Sequence, residues 1–133
     1  MDYKKTPGKE LKNYGRLVNK EKTIISIITP FYNSGGTIEE TANSILNQTY
    51  PFFEWIIVDD GSKDMSLKVM NELSEKDKRI KIIETGTLPP ALKRAKGVEI
   101  SNGEILAFLD DDTYPEKDWL KNSLRAMETK NIK

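Results

Sequence analysis

Apolar and amphipathic runs alternate regularly along the chain from residue 23 onwards. The runs at 23–29, 53–60, 79–83 and 104–110 are short and rich in Ile, Val and Phe, which is typical of buried strands. The segments 37–49, 66–76, 89–101 and 115–127 place apolar residues three or four positions apart, which predicts helices. The order β-α-β-α-β-α-β-α predicts an α/β fold, in which helices cover both faces of a mostly parallel sheet.

The first predicted helix carries a recognisable start signal. Thr37 and Glu40 have the spacing of a capping box, in which each side chain bonds the free backbone N–H of the other residue. We therefore expect Thr37 to cap this helix through its hydroxyl group.

Residues 1–22 differ in character from the rest of the chain. They are polar, lack clean periodicity and hold seven Lys and Arg against three Asp and Glu, whereas the remaining residues hold 14 against 18. This composition predicts a flexible basic arm at 1–22, followed by one α/β domain at 23–133. We expect the arm to be solvated, although a basic arm also suits peripheral contact with anionic lipid.

The composition of the 133-residue chain excludes several kinds of chemistry. It has no Cys and no His, which rules out thiolate nucleophiles, imidazole acid–base catalysis and the usual zinc sites. Any metal would be a hard cation bound through oxygen, such as Mg²⁺ or Mn²⁺. The net charge of zero argues against a nucleic-acid partner. No apolar run suits a membrane span or a secretory signal, so we expect a cytoplasmic protein, whose basic arm also suits peripheral contact with the inner face of the membrane.

Acidic residues follow three of the four predicted strands. They are Asp59 and Asp60, Glu84, and the triplet Asp110, Asp111 and Asp112. Each loop alone could be ordinary turn chemistry, but the carboxyl ends of parallel strands meet at one edge, where such folds bind ligands. Helix N-termini at this edge favour phosphate, and a divalent cation would satisfy both phosphate and carboxylates. The triplet fits Mg²⁺, which uses one or two carboxylates together with substrate phosphates.

Four sequence motifs, taken in their order along the chain, carry a resemblance to a known protein family. They are the strand followed by "PFYN", then "SILNQTY", "VDDGS" and the acidic triplet in "LDDDTYPEKDWL". With them the chain, from about residue 23 to its end, resembles the N-terminal, nucleotide-sugar-binding part of a glycosyltransferase of family 2 with the GT-A fold. The resemblance implies a transferase that uses a metal-bound nucleotide-diphosphate sugar, with UDP-sugar expected, to glycosylate a saccharide or lipid-linked acceptor.

The resemblance also implies roles for individual residues. The base and ribose pocket is formed by the first loop, and Asp60 accepts a hydrogen bond from the imide N–H of uracil, with support from Asp59. Asp110 and Asp112 form the D-x-D element that binds Mn²⁺ or Mg²⁺, and Asp111 contributes to the same region. The implied nucleotide-binding residues are Pro30, Tyr32, Asn33, Asp59, Asp60, Arg94 and Asp111.

Two departures from the family pattern affect this interpretation. The usual "A-R-N-x-G" segment is "KRAKG" here, with Ala95 where Asn is frequent. The catalytic base of inverting members lies in a later half of the enzyme that has no counterpart in these residues. We therefore expect a truncated transferase that binds donor, tends to self-associate and transfers no sugar alone.

Other interpretations fit the sequence less well. A haloacid dehalogenase-like phosphotransferase would continue D-x-D-x-[TV] after its first strand, whereas this triplet follows the fourth strand and reaches Tyr114 at the fifth position. The glycine motifs of P-loop NTPases and dinucleotide dehydrogenases are absent. A non-catalytic α/β nucleotide-binding or interaction module remains the alternative, and an acidic acceptor-side segment downstream would decide against it.

Overall fold

The computed structural model describes residues 23–33, 36–63 and 65–130, so the predicted basic arm at 1–22 lies outside the described residues. The strands are β1 (Ile25–Phe31), β2 (Phe53–Asp59), β3 (Ile80–Glu84) and β4 (Ile105–Phe108). The helices are α1 (Ile38–Leu46), α2 (Ser66–Lys76), α3 (Pro90–Ile100) and α4 (Trp119–Lys130). The predicted alternation of strands and helices is confirmed.

The four strands form one parallel sheet in the order β3-β2-β1-β4. Phe31 at the end of β1 is level with Asp59 at the end of β2, which is level with Glu84 at the end of β3. On the other side of β1, Ile28 is level with Phe108 at the end of β4. The loops that follow the strands therefore begin at one edge of the sheet, as the sequence predicts.

The larger part of the core lies between the sheet and the helices α1, α2 and α4. Alternate residues of β1 and β2, such as Ile27, Trp55 and Ile57, are fully buried there against Ile45 and Leu120. The indole N–H of Trp55 is satisfied by the hydroxyl of Thr29 at 2.8 Å. This packing holds β1 and β2, the two central strands, rigidly beneath the edge where the acidic loops lie.

The opposite face of the sheet is covered, within the described residues, by α3 alone. Gly97 brings α3 close to Ile28, and Ile28 packs with Ile56 and Val58 in a small second cluster. Since α3 lies over β1 and β2, it leaves β4 half uncovered, and Leu106 and Phe108 are 41% and 49% exposed. The prediction that the fourth strand is buried is therefore wrong on this face, because β4 is an edge strand.

The beginning of α1 also differs from its prediction. Thr37 is the N-cap residue but makes no side-chain capping hydrogen bond. Its hydroxyl instead donates to the backbone carbonyl of Asp111 at 3.2 Å. The capping-box prediction is therefore wrong, and the Thr37 hydroxyl instead links the start of α1 to the acidic loop after β4.

Candidate functional site

The loops after β1 and β2 are joined through Asn33. Its backbone N–H donates to the hydroxyl of Ser62 at 2.9 Å, and its side-chain carbonyl accepts from the backbone N–H of Lys63 at 2.7 Å. Asn33 has a φ of 46°, the left-handed conformation that Asn tolerates better than most residues. These bonds fix Asn33 and its neighbour Tyr32, which is 50% exposed, beside the loop that follows β2.

The side chain of Asp59 fixes the turn of the loop after β2 by accepting hydrogen bonds from its backbone. It is fully buried, and its carboxylate accepts the backbone N–H groups of Gly61 at 3.0 Å and Ser62 at 3.2 Å. Gly61 has a φ of 81°, which a side chain would strain. A carboxylate that accepts successive backbone N–H groups fixes a tight turn. Asp59 thereby determines where the next residue, Asp60, presents its side chain.

Asp60 is held by two partners from the other side of the sheet edge. One carboxylate oxygen accepts the backbone N–H of Leu88 at 3.2 Å, and the other lies 3.0 Å from the Nζ of Lys93. The side chains of Asp60 and Lys93 are only 13% and 7% exposed, so this is a nearly buried ion pair. It joins the end of β2 to α3 and to the loop before it.

Lys93 was missed by sequence reasoning, although a signal was available. It lies four residues before Gly97 on α3, and residues four apart share one face of a helix. Gly97 is buried against the sheet, and Lys93 is buried on the same face. A lysine on the same helix face as a glycine that packs against the sheet is therefore expected to be buried, and a buried lysine needs an acidic partner. Ser62 and Lys63, which hold Asn33, were also missed.

The three consecutive aspartates after β4 point to different partners. Asp111 accepts the backbone N–H of Tyr32 at 3.3 Å, and its carbonyl accepts the hydroxyls of Thr37 and Thr41. Asp110 lies 3.5 Å from a guanidinium nitrogen of Arg94, with both side chains substantially exposed. This exposed pair is weak, since water screens it. The acidic loop is thus tied to the loop after β1 and to α1 through Asp111 and is close to α3 through Asp110.

Asp112 is exposed in a region of negative charge. The pKa of the nearby Tyr114 phenol is raised, first by desolvation and then by the carboxylates of Glu40 and Asp112. Such surroundings favour a cation over an anion.

The described residues hold no preassembled cluster of three or more metal-ligating side chains. Mg²⁺ usually needs only one or two carboxylates when a substrate supplies phosphate oxygens. Asp110 and Asp112 are exposed oxygen donors at the correct edge and fit a cation that arrives with a diphosphate. The structure therefore brings together, through direct contacts, Tyr32 with Asp111, Arg94 with Asp110, and the loops after β1 and β2.

The parallel sheet and its alternating helices match glycosyltransferases with the GT-A fold. The chain belongs to glycosyl transferase family 2, whose family model matches residues 26–132. Among curated relatives, it is 37% identical over 110 residues to the putative teichuronic acid biosynthesis glycosyltransferase TuaG of Bacillus subtilis (strain 168). That alignment covers 80% of this chain and 42% of TuaG, so the chain spans less than half of this relative.

Two solved structures give the likeness in three dimensions. S. aureus TarS 1–349 in complex with UDP-GlcNAc matches with a TM-score of 0.72 and 31% identity, over 79% of this chain and 31% of that one. The mannosyltransferase PcManGT from Pyrobaculum calidifontis, in complex with GDP-Man and Mn²⁺, matches with a TM-score of 0.71 and 27% identity. This second match covers 77% of this chain and 32% of that one.

None of the helices in the described part of the chain has the length and apolar character that a membrane crossing requires.

Proposed function

We propose that this chain forms the donor side of a transferase and binds a UDP-sugar with Mn²⁺ or Mg²⁺ at the carboxyl edge of its sheet. The acceptor is a saccharide or a lipid-linked saccharide, of the kind used in polysaccharide biosynthesis. The catalytic base is expected in the portion of the enzyme that the family has beyond these residues. The relatives support the general class, because the two solved neighbours hold a nucleotide sugar and one of them also holds Mn²⁺.

The observation that carries the proposal is the convergence of the four loops at one edge. Asn33 joins the first loop to the second, Asp60 joins the second to the third, and Asp111 joins the fourth to the first. A ligand that touches the four loops would contact residues that hydrogen bonds already hold in place. Pre-organised groups of this kind bind with a smaller loss of conformational entropy.

The chemistry of the loops suits the two ends of a nucleotide sugar. Tyr32 and Asn33 offer an exposed ring and a polar group for base and ribose, and Asp60 offers a carboxylate for an imide N–H. Arg94 carries positive charge for the diphosphate. Asp110 and Asp112 would hold the cation, which neutralises phosphate charge when it is bound.

Calorimetric titration with UDP tests the proposal directly. We expect measurable binding in the presence of Mn²⁺ and a much weaker affinity in excess EDTA. Asp112→Asn should abolish the difference between these two conditions. Glu72→Gln, which neutralises an exposed acid on α2 outside the four loops, is the matched control and should retain the metal effect.

Two outcomes would count against the proposal. Equal UDP affinity with Mn²⁺ and with EDTA would show that nucleotide binding does not depend on a metal. No binding of UDP or GDP under either condition would instead favour an interaction module that has kept the fold without the nucleotide site.

A further inference from the structure

The ion pair between Lys93 and Asp60 lies in the site where a nucleotide base is expected. We infer that Lys93 is a positioning residue that fixes the Asp60 carboxylate for selective recognition of a base with an imide N–H. This inference rests on the proposed function and deepens it, because it assigns the selectivity for the base to a residue that departs from the family pattern. Lys93 occupies the first position of the "KRAKG" segment, where the family pattern has Ala.

The burial of Lys93 is unusual enough to require a reason. Lysine is almost never buried without a partner, because its ammonium group loses hydration. Here the side chain is 7% exposed, and the oxygen of Asp60 at 3.0 Å compensates the charge. A small apolar residue would cover the sheet without this cost. A buried lysine at the ligand edge of the sheet is therefore better explained by what it does to Asp60 than by packing.

Lys93 and Leu88 together fix both oxygens of the Asp60 carboxylate. The ammonium group approaches one oxygen from α3, and the backbone N–H of Leu88 approaches the other from the preceding loop. With both oxygens engaged, the carboxylate plane cannot rotate freely. An ionised carboxylate has about four acceptor positions, so these two donors leave room for a third from a ligand. Asp60 is thus ordered before a base arrives, so binding of the base does not include the entropy cost of ordering this side chain.

A fixed carboxylate discriminates between bases more sharply than a mobile one. The N3 position of uracil is an N–H donor, whereas the same position of cytosine is an acceptor that would face the carboxylate oxygens. A mobile Asp60 could turn away from cytosine, but a carboxylate held by two donors cannot. The expected effect of Lys93 is therefore a higher affinity ratio of UDP over CDP, rather than a uniform gain in affinity.

The affinities of UDP and CDP, measured by calorimetry with Mn²⁺ on the 133-residue chain, test this inference. Lys93→Met should lower the UDP-to-CDP affinity ratio by about 2- to 10-fold, the cost of ordering one side chain, mainly through weaker UDP binding. Lys96→Met is the matched control, since it removes the same charge from α3 at an exposed position beside Glu99. It should leave the ratio unchanged.

The outcomes separate this inference from the proposed function. If the unaltered chain binds neither nucleotide, the proposed function fails. If it binds UDP, but a folded Lys93→Met variant keeps or raises the ratio, Lys93 does not position Asp60 and the inference is overturned. If Lys93→Met does not melt cooperatively, Lys93→Gln takes its place. Its side chain is one atom shorter and ends short of Asp60 but keeps a polar group, and the ratio must fall there too.

Discussion

The ammonium group of Lys81 on β3 lies 2.6 Å from the carboxylate of Glu54 on β2. The same carboxylate accepts the hydroxyl of Ser26 on β1 at 2.5 Å and the backbone N–H of Asn102 at 2.6 Å. Glu54 thus connects three strands and the segment before β4 at the edge opposite the candidate site. Burial alone would raise the pKa of Glu54, but these hydrogen bonds and the charge of Lys81 outweigh it and lower the pKa below its ordinary value.

The lowered pKa of Glu54 predicts a loss of stability in acid. Because the carboxylate titrates at a lower pH in the folded chain than in the unfolded chain, its contribution is fully present above the ordinary value of 4.5. It is lost as the pH falls through the folded pKa. The pKa of Asp77 is also lowered, chiefly by its hydrogen bond from Arg79, and it acts in the same direction.

Urea unfolding of Glu54→Gln, from neutral pH to below the ordinary glutamate pKa of 4.5, measures this loss of stability in acid. The variant should lose about 1–3 kcal/mol at neutral pH, because charged hydrogen bonds are replaced by weaker ones. Its stability should then fall less steeply in acid than that of the unaltered chain. Glu72→Gln, at an exposed position, should retain the original slope. Identical slopes for Glu54→Gln and the unaltered chain would show that Glu54 is not linked to folding in this way.

Gly97 of α3 gives a second prediction, in which two effects of one substitution oppose each other. Alanine favours helices over glycine by about 1 kcal/mol. A Cβ atom at Gly97 would, however, lie 2.5 Å from the Cγ2 of Ile28, a fully buried and β-branched side chain that cannot easily move. Overpacking of this kind costs about 1–3 kcal/mol, so Gly97→Ala should destabilise the chain on balance. A higher melting temperature for Gly97→Ala would mean that α3 shifts outward without cost.

The elements of this fold were predictable because they depend on local pattern. Residues 55–58 of β2 are apolar throughout since both faces of the strand are covered, and α2 repeats apolar residues at helical spacing. The exposure of Leu106 was not predictable in the same way, because the place of β4 at the sheet edge depends on which direction the chain takes after β3.

The contacts within the candidate site were predictable only in part. Parallel strands require that the loops with Asp60 and Asp111 begin at the same edge, and they do. Which donors reach each carboxylate depends on long-range geometry. The pairing of Lys93 with Asp60 and of Thr37 with Asp111 joins residues 33 and 74 positions apart, and no local pattern marks such partners.

Asp60 gives a third prediction, on the choice of base. Asp60→Asn should weaken UDP binding by about 1.5–3 kcal/mol, the usual contribution of a hydrogen bond to a charged group. CDP should be affected less, because its N3 offers no N–H to the carboxylate. Glu84→Gln is the control, since Glu84 is an exposed acid at the same sheet edge. Melting curves recorded in parallel identify any loss that comes from leaving Lys93 buried without its carboxylate. Equal losses for UDP and CDP would assign Asp60 to the fold rather than to base recognition.

The uncovered side of β4 gives the last prediction, which concerns self-association. Leu106 is 41% exposed, and within the described residues β4 pairs only with β1, so one backbone edge of this strand has no strand partner. An exposed strand edge next to apolar side chains favours pairing with another chain. We expect the mass from light scattering to rise with the concentration of the 133-residue chain. Leu106→Lys should suppress this rise, because a lysine on an edge strand opposes pairing. Met127→Lys changes an apolar residue of similar exposure, at 51%, on α4 rather than on β4 and should leave the rise intact. A monomer at every concentration, or equal suppression by the two variants, would show that β4 is not the surface of association.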